Sequence, residues 1–237
     1  MSRLPTIVLI HGALSDASVW GAINSKLQQD GRTVLAPAMP MRSLAEDIDY
    51  LTSFLATIDG PVLLVGHSYA GTVMSAPAFA TKQVLGLVYV SAFAPDSGES
   101  SADLNGRWPG TTLNSDTTIV RPYASGQDLY LKIESFGSVY GHDLPDEIVR
   151  LMASAQRPIN VSALGEAFQG EPAWRTRPNW MLISTDDRSL PLAAQRFMAT
   201  RMGATVTEVR CSHAAPVSQP EAVFALIESA VQAVANH

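Results

Sequence analysis

Apolar and polar positions along the chain follow two alternating periods. Residues 6–10 (TIVLI), 61–65 (PVLLV), 84–91 (VLGLVYVS) and 180–185 (WMLIST) are short, continuous apolar runs, several rich in β-branched side chains. Such runs, closed by turn residues, predict strands buried on both faces. Residues 33–36, stopped by Pro37, and residues 205–209 (TVTEV) predict two further strands. Between these lie longer amphipathic stretches that predict helices: 18–29, opened by Asp16 or Ser18; 43–58; 69–80, rich in small residues; 191–202; and 220–234. At the second of these, Ser43 with Glu46 three residues on spells a capping box. The alternation predicts an α/β chain: about six strands in one mainly parallel sheet, with helices on both faces.

Residues 94–177 break the alternation. They open with Ser, Gly, Asp and Asn and continue through helical patterns at 127–135 and 145–155. A segment of this length is too long for a loop in a compact domain. It is expected to be an inserted helical cap, or lid, over the C-terminal edge of the sheet. Residues 1–93 and 178–237 then form the core. The insertion holds Tyr123, Tyr130, Tyr140, Phe168 and Trp174, with Trp108 and Phe136 taken as candidates for lining an apolar substrate pocket. The alternative is that these aromatics form the cap's own core.

Composition narrows the class. Hydrophobic residues make up 46% of the 237 and charged residues 16%, which suits a large core and not a disordered chain. A net charge of −6, with no run of like charges, offers little to nucleic acid or an anionic membrane. No window of about 18 apolar residues exists, and the first residues show no charged leader with a cleavage site. A cytoplasmic protein, monomer or homodimer, without membrane or nucleic-acid partners is the expectation. The single cysteine, Cys211, excludes an internal disulfide and reads as a small buried apolar residue.

The strongest chemical signal is Gly66-His67-Ser68-Tyr69-Ala70-Gly71, where a buried strand stops and a helix of small residues starts. A nucleophilic serine on a strained strand-to-helix turn needs small neighbours two residues before and after it. Gly66 meets the first need. Ala70 stands where the usual motif has a second glycine, and Gly71 follows at once. His11-Gly12-Ala13, at the end of the first strand, is the second signal. An oxyanion requires two backbone donors, here expected from Ala13 and Tyr69, with His11 and Gly12 shaping the loop. On such a sheet the triad runs serine, acid, histidine. Among the five histidines, His67 sits beside the serine, His142 lies in the insertion and His237 is terminal; His213 alone follows a late strand. Asp186 and Asp187 both end the fifth strand. Asp187 is preferred because Arg188-Ser189-Leu190-Pro191 then leads into the next helix, with Asp186 as the alternative. No His-Glu-x-x-His and no strand followed by Gly-x-Gly-x-x-Gly occurs, so neither a metal nor another cofactor is expected.

IVLIHGALSDASVW, VGHSYAG, TDDRSLP and SHAAPVSQPEAV together resemble the compact α/β-hydrolase family of plant methyl-ester esterases and hydroxynitrile lyases, which has many bacterial relatives. The resemblance covers the core, both flanks of the insertion and the two late triad loops. It implies an α/β-hydrolase fold that begins directly at the His-Gly strand. The lyases characteristically have a threonine after the first-loop histidine and a lysine after the triad histidine. Gly12 and Ala214 occupy those positions here, as in the esterase branch. A serine esterase acting on a small or medium apolar carboxylic ester, with Ser68, His213 and Asp187 as triad, is therefore the leading expectation. The alternatives are another reaction on the same triad (thioester or C–C hydrolysis, perhydrolysis, cofactor-free oxygenation), a lyase, or a ligand-binding receptor.

Overall fold

A strand buried on both faces can satisfy its backbone only against other strands. The apolar runs accordingly pair side by side. The structure, a computed structural model, describes residues 4–235; residues 1–3 and 236–237, including His237 and the start of the stretch read above for a leader, lie outside the described residues. The first part of the chain forms β1 (Thr6–Ile10), α1 (Gly21–Gln29), β2 (Val34–Leu35), α2 (Leu44–Leu55), β3 (Val62–His67), α3 (Ala70–Met74) and β4 (Val84–Val90). An insertion follows, with α4 (Ser101–Gly106), β5 (Thr118–Tyr123), β6 (Gly126–Leu131), α5 (Ile133–Tyr140), α6 (Asp146–Ala155), β7 (Ile159–Asn160) and α7 (Val161–Gly165). The chain then returns through β8 (Asn179–Ser184), α8 (Leu192–Met202), β9 (Thr205–Val209), α9 (Ala215–Ser218) and α10 (Pro220–Ala235).

The main sheet runs β2-β1-β3-β4-β8-β9, and every neighbouring pair is parallel. This is the six-stranded parallel sheet the apolar runs predict. Alternate side chains build two cores. Ile7, Leu9, Leu63, Val65, Val88 and Val90 pack with Ile23 and Leu27 of α1 and with Val223, Ile227 and Val231 of α10. Val8, Ile10, Leu64, Leu87, Tyr89 and Met181 face the other way, toward Leu51 of α2, Val73 of α3 and Met198 of α8. No helix among the described residues is long and apolar enough to cross a membrane.

The helix starts match their caps in part. Asp16 accepts from the Ser18 N–H and opens a tight turn at Ala17–Trp20 ahead of α1. Ser43 accepts from the Glu46 N–H at the start of α2, but the reciprocal half of the capping box is not made. The Glu166 carboxylate, from the insertion, instead accepts from the Leu44 and Ala45 amides. The helix expected over 69–80 ends at Met74, and Pro77, which has no amide to donate, opens a separate turn at Pro77–Phe79.

The insertion differs from the expectation in one respect. The helix predicted over 127–135 is instead β6, which pairs antiparallel with β5 and then with β7, and α5 begins only at Ile133. Gly126–Leu131 has no clear apolar period of its own, and pairing with β5 along its whole length decides for a strand. The insertion therefore carries a three-stranded antiparallel sheet beside its helices. Its apolar side chains, among them Leu104, Phe136, Val139 and Trp174, join the core cluster on one face of the main sheet.

Two glycines test how tightly the core loops approach each other. A Cβ on Gly71, in α3, would lie 2.1 Å from the Phe93 carbonyl oxygen, whereas a Cβ on Gly106, at the end of α4, meets nothing within 4 Å. Gly71→Ala is expected to cost about 1–3 kcal/mol of unfolding free energy, as overpacking does. Gly106→Ala should change it by less than about 0.5 kcal/mol. Denaturant unfolding compares the two, and equal midpoints would show that the Gly71 contact yields freely.

Candidate active site

The C-terminal ends of β1, β3, β8 and β9 lie along one edge of the parallel sheet, so the residues just beyond them meet there. Beyond β3, Ser68 takes a left-handed backbone with φ of +55°, a conformation that costs a non-glycine residue energy and needs its surroundings to hold it. Its N–H donates to the Val90 carbonyl at 3.2 Å, and its own carbonyl accepts from Gly71 and Phe93 at 3.0 and 3.1 Å. The neighbouring glycines sit in close contact with the turn. A Cβ on Gly66 would lie 2.7 Å from Met74 Sδ, and one on Gly12 would lie 2.7 Å from both Ser68 Cβ and the His67 carbonyl oxygen. The demand for a second glycine in the elbow falls on Gly71, while Ala70 fits fully buried.

Ser68, His213 and Asp187 meet although they are far apart in sequence. His213 Nε2 is 2.9 Å from Ser68 Oγ, and His213 Nδ1 is 2.7 Å from Asp187 Oδ2. A carboxylate can only accept, so Nδ1 carries the imidazole proton and Nε2 faces the serine as an acceptor. Asp187 is almost fully buried. Its Oδ1 accepts from the Ser189 and Leu190 amides at 2.7 and 2.8 Å, and its Oδ2 also accepts from Gln195 Nε2 at 3.1 Å. Asp186 points elsewhere: its carboxylate pairs with Arg210 at 2.9 Å and is substantially exposed.

The loop after β1 lies against the serine. His11 is buried, which lowers its pKa. Its Nε2 accepts from the Met39 N–H at 3.0 Å, so its Nδ1–H donates to the Gly12 carbonyl at 2.9 Å. The Ala13 and Tyr69 amides donate to no other group among the described residues, and both residues line the same cavity as Ser68 and His213. That cavity measures about 480 Å³. Leu14, Phe93, Leu129, Ile159, Leu164 and Leu190 supply its apolar wall, and Asn105, Thr111 and Asn114 supply a polar stretch.

Trp108 and Phe136 do not line it. Trp108 packs on Phe197 with ring centroids 5.0 Å apart, and Phe136 is fully buried, stacked on Tyr140 at 5.0 Å. Phe136 sits in the insertion's own packing, and Tyr140, one helical turn on, faces the cavity instead. Three further buried residues bond to residues of the site. His67 donates from Nε2 to the His213 carbonyl at 2.8 Å; burial and the neighbouring His213 push its pKa well down and keep it neutral. Gln195, fully buried, bonds Asp187 while its Oε1 accepts from the Ser184 amide. Asp47, also fully buried, accepts from the Tyr69 hydroxyl at 3.1 Å and the Met41 amide at 2.8 Å. His67 was visible in the elbow, but nothing in the pattern marked Gln195 or Asp47. Cys211 is buried, with Sγ 3.1 Å from Ser184 Oγ, and burial raises its thiol to about 11. No cluster of His, Cys, Asp or Glu able to hold a metal ion occurs among the described residues.

Comparison with known proteins adds to the geometry. The sequence profile described as "Alpha/beta hydrolase family" matches residues 7–226. A pyrethroid hydrolase of Sphingobium wenxiniae is 26% identical over 98% of this chain and 89% of its own. Norfluorocurarine synthase 2 of a Strychnos species is 25% identical over 90% of each chain. The crystal structure of polyneuridine aldehyde esterase superposes with a TM-score of 0.81 at 21% identity, covering 96% of this chain and 99% of that one. At that identity the superposition speaks for the fold.

Two variants separate the neighbouring acids. Asp187→Asn should cut turnover by roughly 10⁴-fold, the loss typical when the imidazole loses its orienting carboxylate. Asp186→Asn should leave it within a few-fold; steady-state kinetics on both decide, and the reverse ranking would reject Asp187. A third variant concerns Asp47. Burial pushes its pKa up from 3.8 to about 6, against the pull of its hydrogen bonds. A raised folded value means the folded protein holds that proton more tightly. The resulting stability, roughly 3 kcal/mol, is fully present below about pH 4 and lost as pH rises through about 6. Asp47→Asn should therefore flatten the dependence of unfolding free energy on pH across that window. An unchanged slope would mean that Asp47 titrates normally.

Proposed function

The chain belongs to the alpha/beta hydrolase family, and on that premise we propose that it is a serine esterase that cleaves a small or medium apolar carboxylic ester. One observation carries the reading: a continuous relay from Ser68 Oγ through His213 to Asp187, at the floor of a largely apolar cavity, beside two uncommitted amides. Ser68 attacks the ester carbonyl as His213 Nε2 takes its proton. Asp187 holds the imidazole in the tautomer that can accept it and stabilises the imidazolium. The tetrahedral oxyanion is met by the Ala13 and Tyr69 N–H groups. His213 then returns the proton to the departing alcohol, leaving an acyl-Ser68 ester. Water, deprotonated by the same imidazole, releases the acid. The cavity volume suits a ligand of ordinary metabolite size. The names of the pyrethroid hydrolase and the polyneuridine aldehyde esterase agree with ester cleavage, although the synthase shows that other reactions are named on related chains.

The lyase reading loses support on the geometry of the first loop. The threonine that marks that branch has no room at position 12 in this backbone, where a Cβ already meets Ser68 Cβ. Position 214 holds a buried alanine where that branch has its lysine, so the ammonium group is missing from beside His213.

The test is turnover of p-nitrophenyl acetate, butyrate and octanoate by wild type, Ser68→Ala, His213→Ala and the double variant. Wild type should show a burst and then steady release. Each single variant should lose several orders of magnitude, and the double variant should lose little more, because the triad acts as a unit. Additive losses, or a Ser68→Ala protein that still turns over, would overturn the proposal.

A further inference from the structure

The insertion does more than line the cavity. Residues 138–143, at the C-terminal end of α5 and just beyond it, touch both loops that carry the acid and the base. On the acid side, Ser189 Oγ donates to the Val139 carbonyl at 3.1 Å, Arg188 donates to the Ser138 carbonyl at 3.2 Å, and His142 Nε2–H donates to the Asp186 carbonyl at 2.9 Å. On the base side, the Ser212 amide donates to Asp143 Oδ2 at 2.9 Å, and the Ala214 amide donates to the Tyr140 carbonyl at 3.1 Å. The strap thus grips the residues flanking Asp187 and the residues flanking His213, and bonds neither of the two itself. Between the two grips, the Tyr140 ring stands edge-on to the His213 imidazole, centroids 5.0 Å apart at 85°.

This arrangement has a physical consequence. The acid and the base lie on loops after different strands, β8 and β9. The sheet aligns those strands, but the side chains must still meet across a gap that the sheet alone does not set. A bond of 2.7 Å between Asp187 and His213 tolerates little drift of either loop. A single rigid segment bonded to both removes the relative freedom that two separate loops would have. Within the strap, Asp143 is the one side chain whose carboxylate reaches the His213 loop. Burial pushes its pKa up, but bonds from the Ser212 hydroxyl and amide outweigh that and hold it below the usual value.

We propose that the strap 138–143 sets the alignment of His213 with Asp187, and that Asp143 is a positioning residue for the reaction, acting through the Ser212 amide. The inference rests on the triad reading above.

The experiment compares Asp143→Ala and Asp143→Asn with wild type, with Ser68→Ala as a control. Three quantities are measured: kcat and KM for p-nitrophenyl butyrate, thermal unfolding, and the far-downfield proton resonance of the His213 Nδ1–H···Asp187 bond. Asp143→Ala should lower kcat by roughly 10- to 100-fold, as small misplacement of catalytic groups does, with little change in KM. Its downfield resonance should broaden or disappear while the protein still melts cooperatively. Asp143→Asn keeps a side-chain oxygen for the Ser212 amide, so it should retain most of kcat and the resonance. Wild-type kcat and an intact resonance in Asp143→Ala would overturn the proposal. So would an equal loss in both variants that tracks a lowered melting temperature, because the role would then be general stability. If Asp143→Ala does not fold, the double variant Ser189→Ala/His142→Ala, which removes two of the strap's three bonds to the acid loop, must show the same fall in kcat and loss of resonance, or the proposal fails. A Ser68→Ala protein that still turns over would point to the triad reading as the error. Loss in Ser68→Ala with none in Asp143→Ala would fault the strap alone.

Discussion

The site depends on one backbone position. Ser68 is held left-handed at the end of a buried strand, a conformation a serine adopts only when its neighbours leave no alternative. The neighbours do so through contact and bonding together. Val90 and Phe93, from the adjacent strand and the segment after it, bind the serine's amide and carbonyl. Gly12, Gly66 and Gly71 are spaces that any side chain would fill. The turn lifts the hydroxyl above the sheet, and the same packing presses the loop after β1 against it. Ser68 and the first-loop amide are therefore set by one packing arrangement.

The parallel sheet supplies the rest of the geometry. Strands that run the same way end along the same edge, so residues nearly 150 positions apart in sequence meet where β3, β8 and β9 finish. The insertion leaves from that edge and is bonded back onto it. Glu166 closes the start of α2, the Arg157 carbonyl takes the Leu14 amide beside the first loop, and residues 138–143 span the acid and base loops. A lid that only opened and closed would not need so many bonds to the residues around the chemistry.

Features that local pattern determines are legible in the sequence. The buried strands are continuous apolar runs, and Ser68 sits in a six-residue string whose small residues have a steric cause. His213 is the only histidine after a late strand. What the sequence left open depends on side-chain direction or on distant contacts. Asp186 and Asp187 are adjacent and chemically identical, and only the turn that bonds Asp187 Oδ1 to two amides separates them. Gln195 and Asp143 act across folded space from unremarkable sequence. The helix expected at 127–135 became a strand because pairing with β5 outweighed a short apolar pattern. Trp108 and Phe136 are aromatic residues of the insertion, but residue type says nothing about which wall a side chain faces; Tyr140, four residues after Phe136, is the aromatic of that helix that reaches the cavity.

In the proposed mechanism Ser68 is a nucleophile activated by His213. The most direct measurement is covalent labelling with a p-nitrophenyl alkylphosphonate, which phosphonylates an activated serine hydroxyl and releases p-nitrophenol as it does so. Intact-mass and peptide mass spectrometry should find a single adduct per chain, on the peptide containing Ser68, formed far more slowly when His213 is replaced by alanine. An adduct on another residue, or none on a folded protein, would contradict the account.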